Sequence, residues 1–321
     1  MRLASRRSKN TGMDQWTTPL RRVVLVANRK GGVLKSSLCR SVADVAAAGG
    51  FRVLAVDGDP QGNLSEIDFG LDTDRGRNLA MALQYGMPLQ PSRVGDVDVI
   101  GGGAELQGAL GAALTPGAEV SLESNLRAAL GQLCSERAYD LVLIDSGPGD
   151  TRLLDAYMHA ARWLIVPTSS DEASFAGVDK MGARYAAAVQ QGAEIEFLGA
   201  VLTKVNHQAT ARNRAIRAEL AAALGEAGTA FDSMIRYNDA NAIDARRHGM
   251  SARDVAEQAA KQRKSRLAQL RSRARGGEDS TGQTDEWWSR SSGAALAQDY
   301  ENLTREILTR IGLRERAHAH A

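Results

Sequence analysis

The chain has 321 residues, enough for one large or two modest domains with a real core, and its 43% hydrophobic and 24% charged content is ordinary for a globular protein. Only seven prolines occur, which argues against a largely disordered chain, and no run approaches the roughly 18 apolar residues of a membrane span. The net charge of +2 is too small to argue for a nucleic-acid partner from the total, so the distribution of charge has to speak instead.

Residues 1–20 read as a flexible basic lead-in without the apolar centre of a signal peptide. Short apolar runs then alternate with helical stretches. The runs are 22–27 (RVVLVA), 52–57 (RVLAVD), 97–100 (VDVI), 141–145 (LVLID), 163–167 (WLIVP) and 197–203 (FLGAVLT). They are continuous, not alternating, as strands are when both faces of a sheet are covered. Helical periodicity marks 35–48, 121–137, 174–190 and 208–225. Alternation of this kind predicts an α/β fold, a doubly wound and mostly parallel sheet flanked by helices, with ligands at the carboxyl ends of the strands. The divisions expected are a lead-in (1–20), a nucleotide-binding domain (21–249), a charged helical insert and polar loop with Trp287 and Trp288 (250–292), and a closing helix near 294–311 within a C-terminal segment (293–321) that ends in a frayed tail.

The two cysteines, Cys39 and Cys134, stand far apart inside predicted helices, which suits buried thiols in a reducing compartment. The five histidines show no metal-ligand spacing, so no metal site built from protein side chains alone is expected.

The first strand runs into Asn28–Ser37, "NRKGGVLKSS", and a helix begins near Lys35. Glycines let a chain curl around phosphate oxygens, amides at a helix start attract anions, a lysine reaches the β- and γ-phosphates, and a hydroxyl such as that of Ser36 ligates Mg²⁺. A glycine turn before an ordinary helix with a solvated lysine is the plainer reading. The next strands weigh against it. One ends in "VDGDPQGN", which brings Asp57 and Asp59 to the same sheet edge, and another ends in "LVLIDSGPG", which delivers Asp145. Carboxylates beside a phosphate cradle hold metal-bound waters and orient an attacking water. "GGGAEL" at 101–106 lacks the third glycine of a dinucleotide fingerprint and reads as a loop.

With these motifs the chain resembles the deviant-Walker P-loop ATPases, and within them the ParA partition family, from about residue 22 to 311 apart from the insert. "KGGVLKSS", "DGDPQGN" and "DSGPG" stand where that family carries its loop, its second-strand motif and its third-strand acid. The resemblance implies ATP and Mg²⁺ as ligands and an ATP-sandwich homodimer. Lys30 would cross to the partner's nucleotide, and Lys35 would hold the phosphates within a loop of Gly31, Gly32, Val33, Leu34, Ser36 and Ser37. Ser36, Asp57 and Asp145 would serve Mg²⁺ directly or through water. Asp59 would position the hydrolytic water, and Asn206 would contact adenine, unless it is only a strand-end turn residue. It further implies non-specific DNA, a ParB-like centromere-binding partner, no membrane, and a cytoplasmic, nucleoid-associated location.

Leu34 departs from the family's glycine. If the position needs positive φ, leucine costs on the order of 1–2 kcal/mol there. That leaves a retuned catalytic site or, as the alternative, a nucleotide-gated DNA-coating protein with little turnover. For DNA the candidates are Arg212, Arg214, Arg217, Arg236, Arg246 and Arg247. The insert adds Lys261, Arg263, Lys264, Arg266, Arg271, Arg273 and Arg275, against only Asp254 and Glu257 early in it. Such charge runs are commonly solvated helix faces, and the insert is equally well read that way. A membrane-cycling relative of the MinD type would need a more apolar C-terminal helix than "EILTRIGLRERAHAHA".

Overall fold

The computed structural model describes residues 19–113, 121–149, 151–169, 172–224, 229–274 and 293–319. Most of the lead-in and the loop with Trp287 and Trp288 lie outside the described residues.

Among the described residues seven strands form one sheet: β1 (Val23–Val26), β2 (Val53–Gly58), β3 (Ser92–Val94), β4 (Val97–Ile100), β5 (Leu141–Ser146), β6 (Trp163–Ser169) and β7 (Glu196–Thr203). Their order is β3-β4-β2-β5-β1-β6-β7, all parallel except β3, which pairs antiparallel with β4 at the edge. The doubly wound sheet expected from the apolar runs is present, with each of the six predicted strands in place. β3 escaped notice because it is three residues long, with Ser92 and Arg93 exposed.

The continuous runs have a direct cause. Val23 and Leu25 of β1 join one buried cluster, while Val24 and Val26 join another on the opposite face. β5 divides in the same way, with Val142 and Ile144 on one side and Leu141 and Leu143 on the other. The first face is covered by α2 (Arg77–Tyr85), α3 (Leu106–Ala113), α4 (Leu122–Arg137), α5 (Thr151–Ala160) and α6 (Glu172–Gln190). The second is covered by α1 (Lys35–Ala48) and the long α10 (Gly293–Ala319). In α10, Leu296, Tyr300, Leu303, Ile307 and Ile311 recur at helical spacing and all are buried.

α10 outruns the expected 294–311 because its polar end is anchored. Arg314 donates to the Phe197 carbonyl (2.8 Å), and Glu315 accepts from Arg22 Nε (3.1 Å). The remaining helices are α7 (Thr210–Leu224), α8 (Asp239–His248) and α9 (Ala252–Ala274). α9 carries the charged insert, yet its first turn is not free of the core. Ala252 and Val255 are buried, and Ser251 Oγ donates to Asp44 on α1 (2.7 Å).

Candidate nucleotide-binding site

β1 lies between β5 and β6, so the chain switches direction across the sheet at its end, where a crevice forms. The loop that leaves β1 there is pinned at both sides. Asn28 Nδ2 donates to the Pro167 carbonyl (2.7 Å) and Asn28 Oδ1 accepts from Lys30 N (2.9 Å). Thr203 Oγ1 donates to the carbonyls of Thr168 (3.0 Å) and Val33 (3.3 Å). Gly32 adopts φ 73° and Leu34 φ 64°, ψ 30°, both left-handed. Leu34 therefore occupies the very conformation that glycine adopts without penalty. Its side chain packs partly against the cluster of Leu38 and Val42, which offsets some of the strain. The Leu34 carbonyl accepts from Leu38 N (2.9 Å) and opens α1.

Lys35 is largely buried at the start of α1, with Nζ donating to the Lys30 carbonyl (3.2 Å). Burial lowers its pKa, and the nearby Asp145 and Asp59 carboxylates oppose that fall. A cleft of about 540 Å³ opens over Gly31, Gly32, Lys35, Ser36 and Ser37, with Asp59, Gln61 and Pro148 on one side and Lys204, Tyr237 and Asn238 on another.

Asp57 and Asp145 are partners in register on β2 and β5, and both are fully buried. Asp57 Oδ2 accepts from Ser65 N (2.8 Å) and Ser65 Oγ (2.7 Å), and its Oδ1 accepts from Asp59 N (3.1 Å). Burial nonetheless raises its pKa to about 6, against the pull of those donors. Neither Asp57 nor Asp145 lines the cleft directly; Asp57, expected beside the metal, has its oxygens taken up in tying β2 to a single π-helical turn at Asn63–Asp68. Asp145 lies beneath Ser36 and Lys35. Among the described residues no donor forms a well-placed hydrogen bond to either of its oxygens. Burial first, then the Asp57 charge, push its pKa well up, while the Ser36 hydroxyl and the Lys35 ammonium oppose this from nearby. A buried carboxylate with no bonded partner is costly. It fits a ligand that arrives with a cation.

Asp59 reaches the cleft wall, its Oδ1 accepting from Gln61 N (2.9 Å). Asn206 does not line the cleft. It is exposed, and its Oδ1 accepts from Gln208 N (3.0 Å) in a local turn. The residues that do line that end, Tyr237 and Asn238, arrive because segment 229–237 runs along β7. Phe231 N, Ile235 N and Tyr237 N donate in turn to Ala200, Leu202 and Val205. Only the i, i+2 spacing of Phe231, Ser233 and Ile235 hinted at such an extended stretch.

Of the basic candidates, Arg212 and Arg214 are exposed on α7, and Lys261, Arg263, Lys264 and Arg271 on α9. Arg217 pairs with Asp232 (2.9 Å), and the exposed Arg246 stands 4.0 Å from Asp68. Arg236 is turned inward, its guanidinium held in a fork by Asp299 (2.6 and 2.7 Å). The side chains of Arg266 and Arg273, and Arg275 altogether, lie outside the described residues.

A phosphate-type loop between β1 and α1, with acids delivered by β2 and β5, defines a P-loop nucleotide-binding fold of the ParA and MinD kind. The chain belongs to the AAA domain family, whose model matches residues 21–196. It is 36% identical over 162 residues to the chromosome-partitioning ATPase Soj of Thermus thermophilus, covering 50% of this chain and 59% of that protein. The chain thus spans about three-fifths of the length of the curated relatives it matches. Among solved structures, the pnob8 ParA superposes with a TM-score of 0.58 at 19% identity, covering 91% of this chain and 99% of that one. Cobyrinic acid a,c-diamide synthase from Mycobacterium smegmatis with bound ADP and magnesium superposes at 0.53 with 28% identity, over 63% of this chain and 81% of that one.

Proposed function

We propose that this protein is a dimerising ATPase that binds DNA without sequence preference in its ATP state and partitions a DNA cargo together with a centromere-binding partner. The observation that carries the reading is the convergence of the loop at Gly31–Ser37, Asp59 and the unpartnered Asp145 at one end of the sheet. The similarity to partition proteins and the solved relative with ADP and magnesium support it.

In this reading the loop amides and Lys35 hold the β- and γ-phosphates, Ser36 is the direct Mg²⁺ ligand, and Asp145 acts through water. Bound Mg²⁺ neutralises charge that develops on the phosphates. Asp59 orients the attacking water, and Lys30 reaches the nucleotide of the second copy. Tyr237 and Asn238 take the place expected of Asn206 beside the base. Arg212 and Arg214 on α7, with Lys261, Arg263, Lys264 and Arg271 on α9, face DNA phosphates, so binding weakens steeply with salt. Arg236 is left out because Asp299 already fills its fork.

ATP turnover measured with and without non-specific DNA, alongside Lys35→Ala, tests the proposal. DNA-stimulated turnover in the wild type and loss of ATP binding in the variant are expected. Unchanged ATP affinity in Lys35→Ala refutes the loop assignment. ATP-dependent DNA binding without turnover favours a nucleotide-gated DNA-coating protein instead, the outcome that the strained Leu34 would explain.

A further inference from the structure

Asp59 directly follows β2, and the strand end Asp57–Gly58 that carries it is held from several sides by groups with no part in phosphate binding. From the π-helical turn, Ser65 donates its amide and its hydroxyl to Asp57 Oδ2. From the end of β4, Gly102 N donates to Ser65 Oγ (3.2 Å). Gly102 also lies so close that a Cβ there would stand 2.6 Å from Asp57 Cγ. From α5, Tyr157 Oη donates to the Gly58 carbonyl (3.0 Å), and its ring fills the space a Gly58 side chain would need, at 2.6 Å. Asp59 hangs on this frame, since its own amide donates to Asp57 Oδ1 (3.1 Å). On its far side Gly147 leaves just enough room, a Cβ there falling 2.9 Å from Asp59 Oδ1. "GGGAEL" thereby finds a role that its loop reading left open: Gly102 lets the chain after β4 close onto Asp57, while Gly101 and Gly103 make room for Thr73 and Arg75.

We propose that Ser65 and Tyr157 are positioning residues that hold the Asp59 carboxylate toward the phosphate end of the cleft. The inference rests on the ATPase reading above. Two hydroxyls outside the lining of the cleft would then set the rate of hydrolysis through Asp59. Misplacing a reacting group by about 1 Å costs up to roughly 10²-fold in rate, so loss of one tether should cost about 10-fold.

The test uses the full chain with MgATP and DNA, in steady state and in single turnover. Ser65→Ala and Tyr157→Phe should each lower kcat about 10-fold while KM and ATP affinity stay within about 2-fold. Ser65→Thr, which keeps the hydroxyl, should restore the rate. In an Asp59→Ala background the same two substitutions should lower the residual rate less than about 2-fold, because the group they position is gone. Tyr157→Phe keeps the ring, so it remains informative should Ser65→Ala fail to fold. Undiminished kcat in both variants, or the full loss repeated on top of Asp59→Ala, overturns the inference. Normal turnover in Asp59→Ala alone overturns the underlying assignment of Asp59. An impaired Asp59→Ala beside unimpaired Ser65 and Tyr157 variants overturns the positioning role only.

Discussion

The carboxyl ends of β2 and β5 lie side by side, Asp57 opposite Asp145, and both acids are removed from water. At the β2 end the acid is surrounded by donors: Asp59 N, Ser65 N and Ser65 Oγ all reach it. At the β5 end no donor among the described residues forms a well-placed hydrogen bond, and the nearest positive group, Lys35, points to the Lys30 carbonyl. The same residue type in the same register thus has two outcomes. A buried acid whose lone pairs are filled by its own loop is part of the scaffold. One whose lone pairs are left unfilled is, in the function proposed above, completed by a cation carried with phosphate.

The comparison can be broken in order of expected size. Removing the β2 acid should damage the fold. Asp57→Ala leaves three donors around an empty space and should lower stability by about 2 kcal/mol, read from urea unfolding. A stability equal to wild type would deny its scaffold role. Relaxing the loop above the β5 acid should help the ligand. Leu34→Gly removes left-handed strain of about 1–2 kcal/mol and should raise ATP affinity or turnover by up to about 30-fold. If neither moves, the packing of Leu34 against Leu38 and Val42 compensates the strain fully.

A third test concerns Asp68, at the end of the π-helical turn. Burial raises this carboxyl to about 6, although Arg246 and Arg40 pull it down. The folded chain therefore keeps a proton that the unfolded chain has already lost at its ordinary value of 3.8. Stability should fall as pH rises from about 4 to about 6 and level off above that. Asp68→Asn should remove this share of the slope, visible in urea midpoints taken across that range.

Much of this was legible in the residues. Apolar runs that are buried on both faces cannot alternate, so the six longer strands stood out, as did α1 from its loop and its glycine end. Lys35 and Asp145 stood out as candidates because one opens the helix after β1 and the other closes an apolar run, while Asp59 stood out only through the motif that follows β2. The role of Asp57 was not readable, because its partner Ser65 comes eight residues later and the supporting Gly102 comes from another strand. Asn206 followed a strand and looked like a ligand residue, but its own turn satisfies it. Tyr237 and Asn238 reach the cleft through pairing along β7, which the i, i+2 spacing of Phe231, Ser233 and Ile235 only hints at. α10 continued past its apolar stripe because Arg314 and Glu315 found partners on β7 and at Arg22, contacts that periodicity alone does not reveal.

Calorimetric titration of ATP, with and without Mg²⁺, into wild type, Asp57→Asn and Asp145→Asn tests the central contrast most directly. Mg²⁺ should tighten binding to the wild type and to Asp57→Asn, and this gain should vanish in Asp145→Asn. A Mg²⁺ gain that survives in Asp145→Asn, or that is lost only in Asp57→Asn, would contradict the assignment of the β5 acid to the metal and the β2 acid to the scaffold.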